Sequence, residues 1–347
     1  MGALAPLALT MGDPAGIGAE ITIAAWRARD ARDGVPSFFT IDDPDRLARM
    51  GVPVAEISDP GEAATVFPTA LPVLPERLPR PATPGQADPL NAPAVVRSIE
   101  RAVALAARGM AGAVVTNPIN KKVLYDGAGF SDPGHTEFLA RLAGVPMTVM
   151  MIAGPSLKVV PVTIHEPLSR IPALLTTALI MDTVRITDAA LKRDFAIANP
   201  RHALTGLNPH AGEQGAMGRE EIEVIVPAIE ALRAEGIEVT GPHPADTLFH
   251  SAARARYDVA VAMYHDQALI PVKALDFDRG VNVTLGLPFI RTSPDHGTAY
   301  DIAGTGRADA TSLIEALRLA GDLAARHQGR PVTEASGRAL SAHDTGR

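Results

Sequence analysis

Short apolar runs that alternate with helical segments constrain the fold of this 347-residue chain more than any other feature. Each run has the length of a buried strand and ends in polar or turn-forming residues. The clearest runs cover residues 7–10, 38–41, 112–116, 157–164, 203–207 and 259–263. Amphipathic helical patterns lie between them, at residues 19–27, 92–108, 220–234 and 311–326. This alternation predicts an α/β fold with a largely parallel sheet.

Composition and charge exclude several classes of protein. The net charge of -7 is spread along the chain without a basic block, which argues against a nucleic-acid partner. No apolar stretch approaches the length of a membrane span, and no signal peptide is recognisable, so we predict a cytoplasmic protein without a membrane partner. The absence of cysteine excludes disulfides and thiolate ligands, so a bound metal would need His, Asp, Glu or backbone oxygens.

Three histidines follow predicted strands in the same local context, and they are His165, His210 and His265. Ligands of open α/β sheets bind at the carboxyl ends of the strands, where these side chains would meet. Three imidazoles suit zinc or another transition metal and leave positions open for a substrate. One such histidine alone is typical of an ordinary hydrogen-bonded residue, whereas the set of three favours a metal site.

Fixed positive charge and a neutral donor occur in the same part of the chain. Lys273 and Arg291 with Asn282 fit a substrate that carries phosphate or carboxylate. Asp246 is a candidate acid–base group or a hydrogen-bond partner of a metal-bound histidine. The alternative is a set of ordinary solvated residues at strand ends.

Two further segments are candidates for anion binding. Gly12, Asp13 and Gly16 lie in a turn between a strand and a helix, an arrangement that presents backbone N–H groups to a cofactor or phosphate. Their spacing matches neither the Rossmann nor the P-loop fingerprint, so a plain tight turn is the alternative. His135 and Thr136 begin a predicted helix, where they either bind an anion or cap the helix.

Several long segments together resemble one enzyme family. The segments are MGDPAGIGAE, DPGHTEFLA, LNPHAGEQG, GPHPADTLF, AMYHDQALIPVK and NVTLGLPFIRTSPDHGTA. They resemble the 4-hydroxythreonine-4-phosphate dehydrogenase family of pyridoxine biosynthesis, from Thr10 to about Ala320. The resemblance implies a three-layer α/β/α fold similar to isocitrate and isopropylmalate dehydrogenases, with two lobes and the active site in the cleft. It also implies a homodimer with a metal site at the subunit interface.

The resemblance assigns roles to individual residues. His165, His210 and His265 correspond to ligands of a divalent metal (zinc, magnesium or cobalt), and His265 is expected to reach the partner's site. The implied substrate-binding residues are His135, Thr136, Lys273, Asn282 and Arg291. Lys273 or a metal-linked water is the candidate base, with Asp246 in support.

The implied reaction is the oxidation of 4-phosphohydroxy-L-threonine with NAD or NADP. The resulting β-keto acid would lose carbon dioxide to give 3-amino-2-oxopropyl phosphate. Alternatives are dehydrogenases of 4-phosphothreonate, 4-phosphoerythronate or a cyclic diol acid and, more remotely, a non-catalytic protein that binds metal and ligand.

The length of the chain predicts two lobes. We assign residues 1–125 and 300–347 to the first lobe. Residues 126–299 form the second, with most metal and substrate residues and the dimer interface. The polar, glycine-containing segment 329–347 is expected to be frayed.

Overall fold

The structure is a computed structural model that describes residues 4–31 and 34–328, so the expectation for segment 329–347 lies outside the described residues. One sheet of twelve strands forms the centre of this described part. The strands are β1 (Leu7–Thr10), β2 (Phe38–Asp42), β3 (Val54–Glu56), β4 (Leu71–Pro75), β5 (Val114–Val115), β6 (Val149–Ala153), β7 (Lys158–Thr163), β8 (Arg201–Thr205), β9 (Glu238–His243), β10 (Val259–Tyr264), β11 (Val281–Leu285) and β12 (Arg291–Pro294).

Thirteen α-helical segments surround the sheet in the described residues. They are α1 (Gly18–Arg27), α2 (Pro44–Arg49), α3 (Ala63–Val66), α4 (Ala92–Ala107), α5 (Lys121–Ala128), α6 (His135–Ala143), α7 (Ile171–Leu174), α8 (Thr177–Arg193), α9 (Val226–Ala234), α10 (Ala245–Leu248), α11 (Ser251–Arg254), α12 (His265–Asp276) and α13 (Thr311–Gln328). Within this part of the chain, no helix is long and apolar enough to cross a lipid bilayer.

Alternate residues of each central strand pack against different helices, which makes the fold three-layered. In β1, Leu7 and Leu9 join a core that includes α1 and α13, whereas Ala8 faces α4 and α5. In β10, Val261 packs with α8 and α9, whereas Ala262 packs with α12. Strands buried on both faces in this way read as continuous apolar runs. The α/β prediction is therefore confirmed.

The sheet is parallel in two blocks and antiparallel where the blocks join. Its strand order is β3-β4-β2-β1-β5-β12-β11-β6-β7-β10-β8-β9. The first six strands of this order pair in parallel with one another, and so do the last four. Between them, β11 is antiparallel to both β12 and β6, and β6 is antiparallel to β7. The two parallel blocks therefore run in opposite directions, an arrangement that periodicity along the sequence does not reveal.

The sheet continues across the proposed lobe boundary. β5 belongs to the segment assigned to the first lobe and β12 to the segment assigned to the second, and they pair through Val114 with Arg291 and Val115 with Thr292. The lobe boundaries remain a prediction. The predicted helical segments do not include α12, which follows β10 directly and has Pro271 inside it.

Candidate active site

The three histidines that follow apolar runs lie on three adjacent strands. β7, β10 and β8 are neighbours, and His165, His265 and His210 come after their carboxyl ends. Side-chain hydrogen bonds join these ends. Thr163 Oγ1 donates to the carbonyl of Met263 at 2.8 Å. The expectation of neighbouring strand ends is therefore confirmed.

His165 and His265 approach each other within one chain. Their ring centroids are 5.7 Å apart. Partial burial, followed by the charges of His265 and Lys121, lowers the pKa of His165, which favours the neutral imidazole that a metal requires. His265 Nδ1 lies 2.7 Å from Asp266 Oδ1, so an Nδ1–H donor to this carboxylate leaves Nε2 free for a metal. These two side chains fit a divalent cation.

His210 lies on an unusual turn. His210, Ala211, Gly212, Glu213 and Gln214 all have positive φ, between 42° and 76°. Left-handed conformation costs a non-glycine residue roughly 1–2 kcal/mol, and only one of the five is glycine. Within residues 4–31 and 34–328 of one chain, no three His, Asp or Glu side chains come close enough to hold a metal ion. One chain therefore pairs two of the three candidate ligands and leaves the set incomplete.

Arg291 is buried without a carboxylate partner in the described part of the chain. Its side chain is anchored by neutral groups: Nη1 donates to Thr284 Oγ1 at 2.9 Å and Nη2 to Thr116 Oγ1 at 2.7 Å. The Nε–H group is buried and unpaired. Burial lowers the pKa of Arg291 to about 10, so the cation remains dominant at neutral pH and its burial costs free energy. A buried guanidinium with a free donor is suited to an anionic ligand.

The charge of this guanidinium acts on His135, the first residue of α6. Its Nε2 is buried without a hydrogen-bond partner among the described residues. Burial, and then the charges of Arg291 and Lys121, hold the pKa of His135 well below its usual value, so the ring is neutral at pH 7. Thr136 follows in the same helical turn, which has no side-chain cap. Lys121 acts electrostatically on both His135 and His165, so the anion pocket adjoins the histidine pair.

Asn282 and Arg291 project from the same face of the sheet. Asn282 of β11 is paired in register with Ser293 of β12, and alternate residues of paired strands share a face. Asn282 therefore lies within β11, and Arg291 is the first residue of β12.

Lys273 lies on α12 and forms an ion pair with Asp295, with Nζ and Oδ2 2.7 Å apart. The pair borders a cavity of about 190 Å³ that His296 also lines. Asp246, at the start of α10, is exposed. In the part of the chain that the structure describes, no hydrogen bond joins it to Lys273 or to a histidine, and its catalytic role remains a prediction.

The glycine-rich turn after β1 is packed against two other segments. Gly12 has a φ of 68°, and a Cβ at this position would lie 2.6 Å from the Cβ of Asn117. A Cβ at Gly16 would lie 2.8 Å from the carbonyl oxygen of Thr298. Asp13 accepts a 2.7 Å hydrogen bond from the Tyr300 hydroxyl. Close packing therefore explains why both positions hold glycine. Their role in cofactor binding remains a prediction.

A Gly12→Ala variant is expected to lose about 3 kcal/mol of unfolding free energy, because backbone strain and overpacking add. The matched control is Gly144→Ala. Gly144 has a φ of 66°, but no atom lies within 4 Å of its added Cβ, so about 1 kcal/mol should be lost. Urea denaturation of both variants measures the difference. Equal losses would contradict close packing of the turn against Asn117.

Several residues of the site carry no signal that we read in the sequence. Thr116 and Thr284, which anchor Arg291, are ordinary strand residues by pattern. Lys121 follows a predicted strand end. Its separation from His135 along the chain gives no indication that the two residues interact. A cavity of about 480 Å³ lies at the amino end of β7 beside Lys158, and none of the three candidate histidines lines it.

Comparison with known proteins identifies close relatives. A family model described as pyridoxal phosphate biosynthetic protein PdxA matches residues 39–320. A 4-hydroxythreonine-4-phosphate dehydrogenase from Ruegeria sp. (strain TM1040) is 56% identical over 327 residues, which cover 94% of this chain and 99% of the relative. The crystal structure of a 4-hydroxythreonine-4-phosphate dehydrogenase from Klebsiella pneumoniae has a TM-score of 0.85 and 41% identity, with 92% of this chain and 99% of that chain covered. A terephthalate 1,2-cis-dihydrodiol dehydrogenase from Burkholderia xenovorans LB400 has a TM-score of 0.64 and 30% identity, with 91% and 97% covered.

Proposed function

This chain belongs to the family of the pyridoxal phosphate biosynthetic protein PdxA, and on that premise we propose that it is an NAD(P)-dependent 4-hydroxythreonine-4-phosphate dehydrogenase. The reaction oxidises the secondary alcohol of 4-phosphohydroxy-L-threonine and yields 3-amino-2-oxopropyl phosphate after decarboxylation. The observation that carries the proposal is the buried Arg291, which has no carboxylate partner among the described residues and whose charge acts on His135, where Nε2 is also buried and unpaired. As a biosynthetic enzyme, the protein would work in the cytoplasm.

The anionic groups of the substrate are bound by the residues around Arg291. The free guanidinium donor and the Nε2 of His135 are both available to phosphate oxygens. Thr136 and the uncapped first turn of α6 add donors at the same place. Asn282 and Lys273 bind the remaining polar groups and orient the carbon that carries the hydroxyl.

Proton removal is assigned to Lys273. Its 2.7 Å contact with Asp295 lets the ammonium pass a proton to that carboxylate and then accept the proton of the substrate hydroxyl. When bound, NAD(P) would accept the hydride from the carbon that carries this hydroxyl. In the β-keto acid the bond between the carboxylate and the adjacent carbon then breaks, its electron pair forms an enolate as carbon dioxide departs, and a proton adds to that carbon to give the ketone product.

His165, His210 and His265 would hold a divalent metal ion, with zinc, magnesium and cobalt as candidates. When bound, such an ion supplies positive charge at the oxygen of the substrate and favours both its deprotonation and the decarboxylation. The lowered pKa of His165 and the Nδ1 contact of His265 with Asp266 support the ligand role.

We propose that the ligand set is completed in a homodimer. Exposed apolar side chains lie on α12 and near His165, where water would otherwise contact them. Ile270 and Leu168 are each 67% exposed, and Phe277 is 73% exposed. Exposed apolar side chains are typical of a subunit interface, and Leu168 lines the same cleft as His165 and His265.

Reduction of NAD or NADP by the purified protein with 4-phosphohydroxy-L-threonine tests the function. Turnover that a chelator abolishes and added metal restores is expected. A matched panel contains 4-phosphothreonate, 4-phosphoerythronate and a cyclic cis-diol acid. Preference for the unphosphorylated diol would overturn the phosphate assignment and favour the activity named for the Burkholderia relative. Tight substrate binding without cofactor reduction would instead show a binding protein.

A further inference from the structure

The left-handed turn at His210 needs a structural support, because its conformation is unfavourable for four of its five residues. Ala211, Glu213 and Gln214 keep positive φ angles of 52°, 42° and 56° together with His210 at 53°. His210 and Gln214 are exposed, so burial of their side chains does not hold the turn. The support must come from the backbone groups at its base.

Glu221 provides that support from beneath the turn. Its side chain is buried, with 3% relative exposure. Oε1 accepts hydrogen bonds from the backbone N–H groups of Leu207 and Asn208, each at 2.8 Å. Oε2 accepts a third from Asn208 Nδ2 at 3.0 Å. The carboxylate therefore fixes the two residues that lead into the turn, and charge-assisted bonds of this kind are strong.

Two glycines allow the carboxylate to come this close. A Cβ at Gly212 would lie 2.4 Å from Glu221 Oε2, and a Cβ at Gly206 would lie 3.0 Å from Oε1. Glu221 also begins a π-helical turn, Glu221–Ile225, ahead of α9. Such turns are rare and occur frequently at functional sites. Because both glycines leave room for the two oxygens of Glu221, this contact depends on glycine at both positions.

The same loop is bound from the other side by Gln267, two residues after His265. Gln267 Oε1 accepts from Thr205 Oγ1 at 2.7 Å and from Met263 N at 2.8 Å. Its Nε2 donates to the carbonyl of Gly206 at 2.8 Å. The amide thus joins the strand that precedes His210 to the strand that precedes His265, and Glu221 continues this connection into the turn.

We propose that Glu221 is a positioning residue that holds the left-handed turn in the geometry in which His210 can bind a divalent metal. The inference rests on the proposed function, because that function makes His210 a ligand. A carboxylate is required because a glutamine has one acceptor oxygen. Its amide N–H groups would face either the backbone donors or the Asn208 amide, which already donates to Glu220.

The test is Glu221→Gln, with Glu223→Gln as the matched control. Glu223 lies on the same π-helical turn, is exposed and pairs with Arg219. Titration of the metal-free protein with Co²⁺, without substrate, should show affinity reduced about 10- to 100-fold in Glu221→Gln and unchanged in the control. The visible absorption of bound Co²⁺ should also change. Hydrogen exchange at residues 207–215 should quicken in Glu221→Gln only.

Two further variants separate this inference from the proposed function. If His210→Ala leaves Co²⁺ affinity unchanged, the ligand assignment fails. If His210→Ala weakens binding and Glu221→Gln does not, the ligand assignment stands and the positioning role of Glu221 is overturned. In the His210→Ala background, Glu221→Gln should have no additional effect on Co²⁺ affinity. An equal loss in both backgrounds would show a general structural role and refute the inference.

Discussion

Replacing Arg291 by methionine is expected to raise the KM for the phosphorylated substrate about 10- to 100-fold, the range for a lost charge-assisted hydrogen bond. The free protein should be at least as stable as the wild type. Burial lowers the pKa of Arg291 to about 10, so at neutral pH the folded state holds a cation that it stabilises poorly. The free-energy cost of burying the Arg291 cation disappears only as the pH rises through its pKa of about 10. Methionine removes the charge and keeps much of the volume.

Steady-state kinetics and urea denaturation at pH 7 measure the two effects separately. Arg279→Met is the control, because the Arg279 side chain is 59% exposed and lies beside Glu315 at the protein surface. Arg279→Met should change neither the KM nor the free energy of unfolding appreciably. An Arg291→Met variant that unfolds, or that keeps the wild-type KM, would show that Arg291 supports the fold and does not bind substrate.

Mixed dimers are expected to regain activity when His165→Ala chains are combined with His265→Ala chains. If His265 serves the partner's site, each mixed dimer has one intact ligand set and one set with both substitutions. Random pairing would then restore about a quarter of the wild-type activity, although each variant alone has very little. The measurement is NAD(P) reduction after the two variants have been unfolded together and refolded.

A second combination determines which histidine crosses the interface. With His265 from the partner, His165→Ala and His210→Ala chains should not complement, because their substitutions affect the same half of the site. In the alternative arrangement His210 crosses, and His165 and His265, whose rings are 5.7 Å apart within one chain, serve the same site. In that arrangement His165→Ala and His210→Ala chains would complement each other, whereas His165→Ala and His265→Ala chains would not. Absence of recovery in both combinations would refute a shared site.

The sequence was sufficient to predict the parts of the fold that depend on local patterns. The apolar runs predicted at residues 7–10, 157–164 and 259–263 correspond to β1, β7 and β10 within one residue at each end, because a strand buried on both faces leaves a continuous signal. The histidines after β7, β10 and β8 lie on neighbouring strands as expected. The family resemblance is confirmed by relatives that cover most of the chain.

Long-range geometry and backbone conformation could not be predicted in the same way. The pairing of β12 with β5 joins residues far apart in the chain. The residue types of the two strands do not indicate whether they pair in parallel or antiparallel. The left-handed turn at His210 contains alanine, glutamate and glutamine, none of which indicates positive φ. Glu221 resembles any acidic residue at a helix start, and its role emerges only when the glycines around it are placed in space.

The late position of β11 and β12 in the chain has a consequence for biosynthesis. These strands fill the centre of the sheet, yet on the ribosome they are made after every other strand of the described residues. Until Val281–Leu285 and Arg291–Pro294 emerge, β5 and β6 each present an open edge, and open edges pair readily with other chains. At ordinary rates of translation this interval lasts on the order of ten seconds. Crowded nascent chains are therefore most vulnerable to aggregation just before the last two strands close the sheet.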